Sequence, residues 1–431
     1  MLAFTFPGQG SQRAGMGASW VDHDSFELVA HASEVLDLDV AALLLDADQE
    51  TLTRTENAQL ATFVASLVVL DATERLGIEP AFCAGHSLGE YTALVATGAL
   101  SLEEGLRLVQ ERGAAMQDAA DQTAGSMLAV LGLDDDAVES ACLRAEGDVW
   151  VANFNAPGQV TIAGAPEALE RAAEIARGLG AKRVLAFPVG GAFHTPLMAP
   201  ARDRLRKALA GTTFRGPEPV VVANVDARAH ADPAEWPGLL SAQLCGPVRW
   251  RQSLAALHGA GARTFVELGP GGVLTGLAKR TLPAGEHHAL AVAAPADLEA
   301  LVDHLAGIAR QAQATAEAVP TGAGFHLTER LVVSSATGPF SAEPAFTHLA
   351  PRIQVAARHA GQEPPPRPPA PVAVGDLIGR AGAQEIRSPF AGTLEGILVL
   401  EGERVVTGQP VAWLRVGEGA PDTQTSEEAP R

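Results

Sequence analysis

The sequence predicts a layered α/β fold carrying a small inserted subdomain, followed by a small all-β unit. Three observations carry this prediction. Residues 1 to about 310 alternate short apolar runs with alanine-rich stretches whose apolar residues recur at helical spacing. Residues 126 to about 190 read strand, helix, strand, strand, helix, strand. From about residue 311 the texture changes to turn-rich β-like runs around a proline-rich stretch. At 431 residues the chain has room for two or three domains with their own cores.

The first segment, "MLAFTF", is a short strand, and "FPGQGSQ" (6–12) is a glycine-rich loop at its end. "NAQLATFVASLVVLDATERLG" is a helix ending near Gly77. "AFCAGHS" is a strand that enters Gly85-His86-Ser87-Leu88-Gly89, and a helix-forming run follows. In the inserted unit, "SMLAVLGL" is a strand and "DDDAVESACLRA" a helix whose acidic start suits its dipole. "DVWVANFN" and "QVTIAG" pair across a turn at Pro157-Gly158, "PEALERAAEIARGLG" is a helix ended by glycine, and "KRVLAFPV" is the last strand. That order, βαββαβ, is the ferredoxin-like pattern.

The C-terminal part divides into a linker at 311–328, a β unit at 329–416 interrupted by a proline-rich insert at about 341–371, and a disordered acidic tail at 417–431. The β unit contains a near-repeat. "LVVSSATGPF" (331–340) matches "EIRSPFAGTL" (385–394), each with a serine-started S-x-x-x-G turn, and "VAVGDLIGR" (372–380) matches "VVTGQPVAW" (405–413). Two such halves predict a pseudo-symmetric β-sandwich.

The formal charge of −20 argues against non-specific binding to nucleic acid or anionic membranes. Cys83, Cys142 and Cys245 are too sparse for a disulfide framework, which points to a reducing compartment and a cytoplasmic protein. The N-terminus lacks the basic and apolar regions of a signal peptide, and no stretch approaches a transmembrane span.

G-x-S-x-G between a strand and a helix is the setting of a nucleophile elbow, as in an α/β-hydrolase-like sheet. A serine hydroxyl is a weak nucleophile, so it needs a base and donors for the oxyanion formed on the attacked carbonyl. His86 adjoins Ser87, but adjacent side chains on a tight turn point apart. That leaves His86 to local hydrogen bonding or a carboxylate contact.

Five motifs, "FPGQGSQ" (6–12), "GHSLGEYTALVATGALS" (85–101), "LVQERGAAMQ" (108–117), "GAFHTPLM" (191–198) and "ELGPGGVLTGL" (267–277), occur in order. In this order and spacing, residues 1 to about 305 resemble the malonyl-CoA:acyl-carrier-protein transacylases, whose fold also occurs inside polyketide synthases. The resemblance implies Ser87 as the nucleophile that carries malonyl as an ester, and His194 as its general base. It implies an oxyanion hole from the backbone of Gln9 and Leu88, and Arg112 as the partner of the malonyl carboxylate, where a guanidinium fits with two parallel bonds. Gln243 orients the histidine through its carbonyl, giving a Ser–His dyad with no acidic third member. Phe193 favours malonyl over methylmalonyl by crowding the α-carbon. Asn153 and Asn155 match a polar segment near the thioester arm.

The implied reaction is ping-pong malonyl transfer from malonyl-CoA to the phosphopantetheine thiol of an acyl carrier protein, in fatty-acid or polyketide biosynthesis. It needs no metal and no resident cofactor. Lys182, Arg183, Arg202, Arg206 and Lys207 are candidates for a basic patch that meets the acidic carrier. Two alternatives stand beside it: an acyl hydrolase that clears misloaded carriers, and a docking scaffold with an inert acyltransferase fold. The C-terminal unit resembles a biotinyl/lipoyl carrier domain, but the modifiable lysine position falls on Ala381 in the hairpin 379–384. No lysine occurs in the segment, so neither biotin nor lipoate is expected. Its expected use is docking, including to other synthase components, positioning or stability.

Overall fold

A computed structural model of the chain describes residues 1–187, 189–317, 329–334, 336, 338–346, 370–389, 391–399, 404–405 and 410–415. The acidic tail at 417–431, most of the proline-rich insert and residues 318–328 of the expected linker lie outside the described residues. The chain divides into two compact units, 1–313 and 314–431.

The first unit is built on a six-stranded sheet. Its strands lie in the order His288–Val292, Thr264–Leu268, Leu2–Phe6, Phe82–Gly85, Val221–Val222, Ala229–His230. All neighbours are parallel except the last pair. Side chains of successive residues leave a strand on opposite faces. Here Phe4 and Phe6 join one buried cluster with the helix Thr55–Glu74, while Ala3 and Ala84 join another with Trp250 and Phe265. Both faces are therefore covered, which is why the parallel strands read as apolar runs without alternation. Thr55–Glu74 is buried nearly all round, as expected for a central helix.

The register decides where the site sits. Phe6 pairs with Gly85, so the chain leaving the first strand and the chain leaving the second emerge side by side. The crevice outside the carboxyl ends of parallel strands is the usual ligand site of such sheets.

Residues 126–186 form a four-stranded antiparallel sheet in the order Val149–Ala156, Gln159–Gly164, Ser126–Leu131, Arg183–Ala186, with helices Asp135–Arg144 and Pro166–Gly178. Val130, Phe154, Ile162 and Leu169 give it a separate core. Backbone bonds between Phe154 N–H and the Val248 carbonyl, and between Val248 N–H and the Ala152 carbonyl, both 2.9 Å, tie it to the larger sheet's surroundings.

One boundary moves. A linker is expected from residue 311, but the helix that starts at Pro295 continues to Glu317. "RQAQATAE" holds neither glycine nor proline to stop it.

The second unit holds two four-stranded antiparallel sheets among the described residues. One runs Glu329–Val333, Pro410–Arg415, Gly392–Ile397, Ala370–Val372; the other runs Gln384–Arg387, Leu377–Ala381, Gly338–Ala342, Arg404–Val405. Numbered along the chain, these orders are 1-8-6-3 and 5-4-2-7. Exchanging the first four strands for the last four turns one order into the other. The near-repeat of the sequence is thus a two-fold pseudo-symmetry of strand order. Its matched serines, Ser334 and Ser388, are both buried. Val332, Phe340, Ile378, Ile386, Leu394 and Val411, drawn from both sheets, share one core.

Candidate active site

Ser87 lies between the strand Phe82–Gly85 and the helix Gly89–Ala96. The flanking glycines are steric requirements. A Cβ on Gly85 would lie 1.9 Å from the Gly89 backbone, and one on Gly89 would lie 2.0 Å from the Phe6 carbonyl oxygen. Ser87 itself has φ +53°, a costly conformation for a residue with a side chain. Two amide side chains hold its peptide: Asn224 Oδ1 accepts the Ser87 N–H at 2.7 Å, and Gln243 Nε2 donates to the Ser87 carbonyl at 2.8 Å.

His194, also at positive φ (+60°), brings Nε2 to 2.7 Å from Ser87 Oγ. Its Nδ1 is 2.8 Å from the main-chain carbonyl of Gln243. That carbonyl ends the helix Trp236–Gln243, where carbonyls lack intrahelical partners. A carbonyl only accepts, so Nδ1 carries the proton and Nε2 is left as the acceptor for the serine hydroxyl. Burial, reinforced by the Arg112 charge, lowers the His194 pKa to about 3. The imidazole is therefore neutral, with its Nε2 lone pair on the serine hydroxyl.

His86 is engaged elsewhere. Its Nε2 meets Asn155 Oδ1 at 2.9 Å, and its ring sits edge-on to Trp250. Asn155 in turn donates to Thr161 Oγ1 at 3.2 Å. Asn153, Asn155, Phe193, Gln9, Ser87 and His194 all line one cavity of about 370 Å³. The Gln9 and Leu88 backbone N–H groups have no partner among the described residues, and Leu88 stands at the N-cap of the helix that follows Ser87.

Arg112, from the helix Leu102–Gln122, is fully buried. Its guanidinium donates to Gln59 Oε1 (2.6 Å), Gln243 Oε1 (2.8 Å) and Ser87 Oγ (3.0 Å), and lies over the Tyr91 ring. All three acceptors are neutral.

The expected basic patch is divided between elements. Lys182 and Arg183 are exposed at the edge strand of the small sheet, while Arg202, Arg206 and Lys207 lie on helix Ala199–Ala210, where Arg202 is bonded to Asp203.

Residues 3–318 match the acyl transferase domain family. The chain belongs to the acyl transferase family. Within this family, it is 40% identical over 284 residues to the malonyl CoA-acyl carrier protein transacylase of Bacillus subtilis (strain 168), covering 65% of this chain and 90% of that protein. Its fold matches an acyl carrier protein S-malonyltransferase from Vibrio cholerae with TM-score 0.67 and 42% identity, over 70% of this chain and 99% of the other. A malonyl-transacylase solved in complex with its type II PKS acyl-carrier protein matches with TM-score 0.68 and 39% identity, over 70% and 99%. These matches leave the second unit outside the shared domain.

Four residues of this acyl transferase's site escape sequence reasoning: Gln59, Glu90, Tyr91 and Asn224. Glu90 and Tyr91 stand inside the recognised "GHSLGEY" run, which was the available signal. Gln59 and Asn224 sit in apolar contexts, and only the fold brings them to Ser87 and Arg112.

Proposed function

We propose that the chain transfers a malonyl group from malonyl-CoA to the phosphopantetheine thiol of an acyl carrier protein through a malonyl-Ser87 ester. The observation that carries this is Arg112: a buried guanidinium with only neutral hydrogen-bond acceptors, 3.0 Å from Ser87 Oγ. A buried charge of this kind calls for an anion, and the acyl group on Ser87 is where one would arrive.

Ser87 Oγ attacks the thioester carbonyl as its proton moves to His194 Nε2. The imidazolium is held by the Nδ1–H bond to the Gln243 carbonyl. The Gln9 and Leu88 N–H groups receive the oxyanion; losing one such donor costs about 2.7–4 kcal/mol of transition-state stabilisation. The C–S bond then breaks and the coenzyme A thiolate takes the proton from His194. The carrier thiol enters and the same steps run in reverse. Malonyl's carboxylate beside Arg112 also offsets the charge that depresses His194, so the base strengthens when the right acyl group binds. Phe193, 4% exposed and on the cavity wall, narrows the space at the α-carbon; one methyl group is worth about 1–3 kcal/mol in such a pocket.

This reading is supported by the names of the relatives and by the one solved with its carrier protein. It assigns the first unit an α/β-hydrolase-like large subdomain with a ferredoxin-like insert, and the second a biotinyl/lipoyl-like sandwich without a modifiable lysine. No helix among the described residues is long and apolar enough to cross a membrane. An editing hydrolase should release acetyl groups, which leave Arg112 without an anion. An inert scaffold has no use for a base held neutral 2.7 Å from a serine. The deciding experiment loads the protein with labelled malonyl-CoA, traps the acyl-enzyme and adds carrier protein. Label on Ser87 that passes to the carrier thiol is expected; label passing only to water favours the hydrolase, and no label refutes transfer.

A further inference from the structure

Glu90 is the second residue of helix Gly89–Ala96 and is 1% exposed. An acid in a first helical turn ordinarily faces water and complements the helix dipole. Buried, it requires partners, and each of its oxygens has one. Oε1 accepts the Asn224 backbone N–H at 2.6 Å, and Oε2 accepts from Gln243 Nε2 at 2.6 Å. The Gln243 amide oxygen accepts from Arg112 Nη2 at 2.8 Å, and that same Nη2 points at Ser87 Oγ. Glu90, Gln243 and Arg112 therefore form one line of hydrogen bonds ending at the acyl position.

The chemistry of the two ends gives this line a direction. A carboxylate only accepts and a guanidinium only donates. Between them the Gln243 amide has a single satisfied orientation; turned over, it would set acceptor against acceptor at Glu90 and donor against donor at Arg112. The geometry points to Glu90 as a positioning residue for acyl selection, which holds the Gln243 amide so that its oxygen aims Arg112 at the acyl group on Ser87. This rests on the transacylase reading above. Burial raises Glu90 to about 7, with the Asn224 N–H, Gln243 and Arg112 opposing it, so the acceptor form is retained above neutrality.

Glu90 has a second tie, through Asn224, whose side chain accepts the Ser87 N–H and donates to the Gly85 carbonyl at 2.7 Å each. That branch shapes the elbow and serves malonyl and acetyl substrates alike. Gln243 Nε2 shares that task through its bond to the Ser87 carbonyl, so the ratio of kcat/KM for malonyl-CoA over acetyl-CoA, rather than either rate alone, isolates the hold on Arg112.

The test measures that ratio on the full-length protein by label on Ser87. Glu90→Met keeps the volume and removes both acceptors; it also leaves the Asn224 N–H without its acceptor, so a loss of stability is expected beside the change in the ratio. The ratio should fall at least about tenfold, the scale of one hydrogen bond to a charged group. Gln243→Met, which keeps the main-chain carbonyl on His194, should lower it similarly. The double variant should fall no further than the worse single, because both act along one path. An unchanged ratio in either single variant, or losses that multiply in the double, overturns the proposal. If Glu90→Met does not fold, Gln243→Met alone decides. Arg112→Ala in the same assay separates the two readings. If it lowers the ratio and the others do not, only the role of Glu90 fails; if it too leaves the ratio unchanged, the reading of Arg112 fails.

Discussion

Ser87 and His194 are two of five non-glycine residues with positive φ among the described residues, so both side chains of this contact rise from strained backbone. His194, with a pKa near 3, is uncharged across the ordinary assay range. The pH profile of kcat/KM, which reports the free enzyme, should show no fall between pH 8 and 5 from protonation of this imidazole. Stability carries the matching sign. The folded pKa lies below the usual 6.5, so the unfolded chain binds the proton first as pH drops. The contribution of His194 is fully present above about pH 6.5 and is lost as pH falls toward 3. Denaturation at pH 7 and pH 5 should show a smaller pH-dependent loss in His194→Ala than in the wild type. Ser87→Ala should abolish the covalent malonyl adduct in an intact-mass measurement. Arg112→Ala should reduce malonyl-over-acetyl selectivity by about tenfold or more, the range for a hydrogen bond to a charged group.

At the scale of elements, the elbow works because backbones touch. Gly85 packs against Gly89 and Gly89 against the end of the first strand, which fixes the Gln9 loop beside Ser87. Gly85→Ala should therefore lower the melting temperature markedly, since even moderate overpacking costs about 1–3 kcal/mol and here the obstacle is backbone. This part of the fold was legible in the chain because strand-to-helix changes and turn glycines are local signals. The run of the helix on to 317 was less so, because an alanine- and glutamine-rich stretch suits helix and linker alike. The link from Gln243 to His194 runs through a main-chain carbonyl, a group every residue has, and no residue type announces it. Gln243 came from family resemblance. Glu90 reads along the chain as an ordinary first-turn acid, and only its burial reveals that both oxygens are used.

At the scale of the whole molecule, the first unit has three apolar clusters of its own. The Bacillus subtilis relative, 90% covered by the match, corresponds to 65% of this chain. A chain ending at Glu317 should accordingly fold and load malonyl at a rate within a few-fold of the full protein, measured by label on Ser87. The second unit should gain no mass from biotin or lipoate when expressed with the attaching enzymes, since no lysine occurs after residue 313. The chain alone determined the alternation of layers, the serine elbow, the repeat in the second unit and the absence of an attachment lysine, because periodicity, turn chemistry and composition are written locally. Only the tertiary structure set His194 Nε2 2.7 Å from Ser87 Oγ, buried Arg112 against neutral acceptors, and placed Glu90 and Asn224 behind Ser87. Those relations depend on strand register and helix packing, which bring together residues from 25 to 156 positions apart.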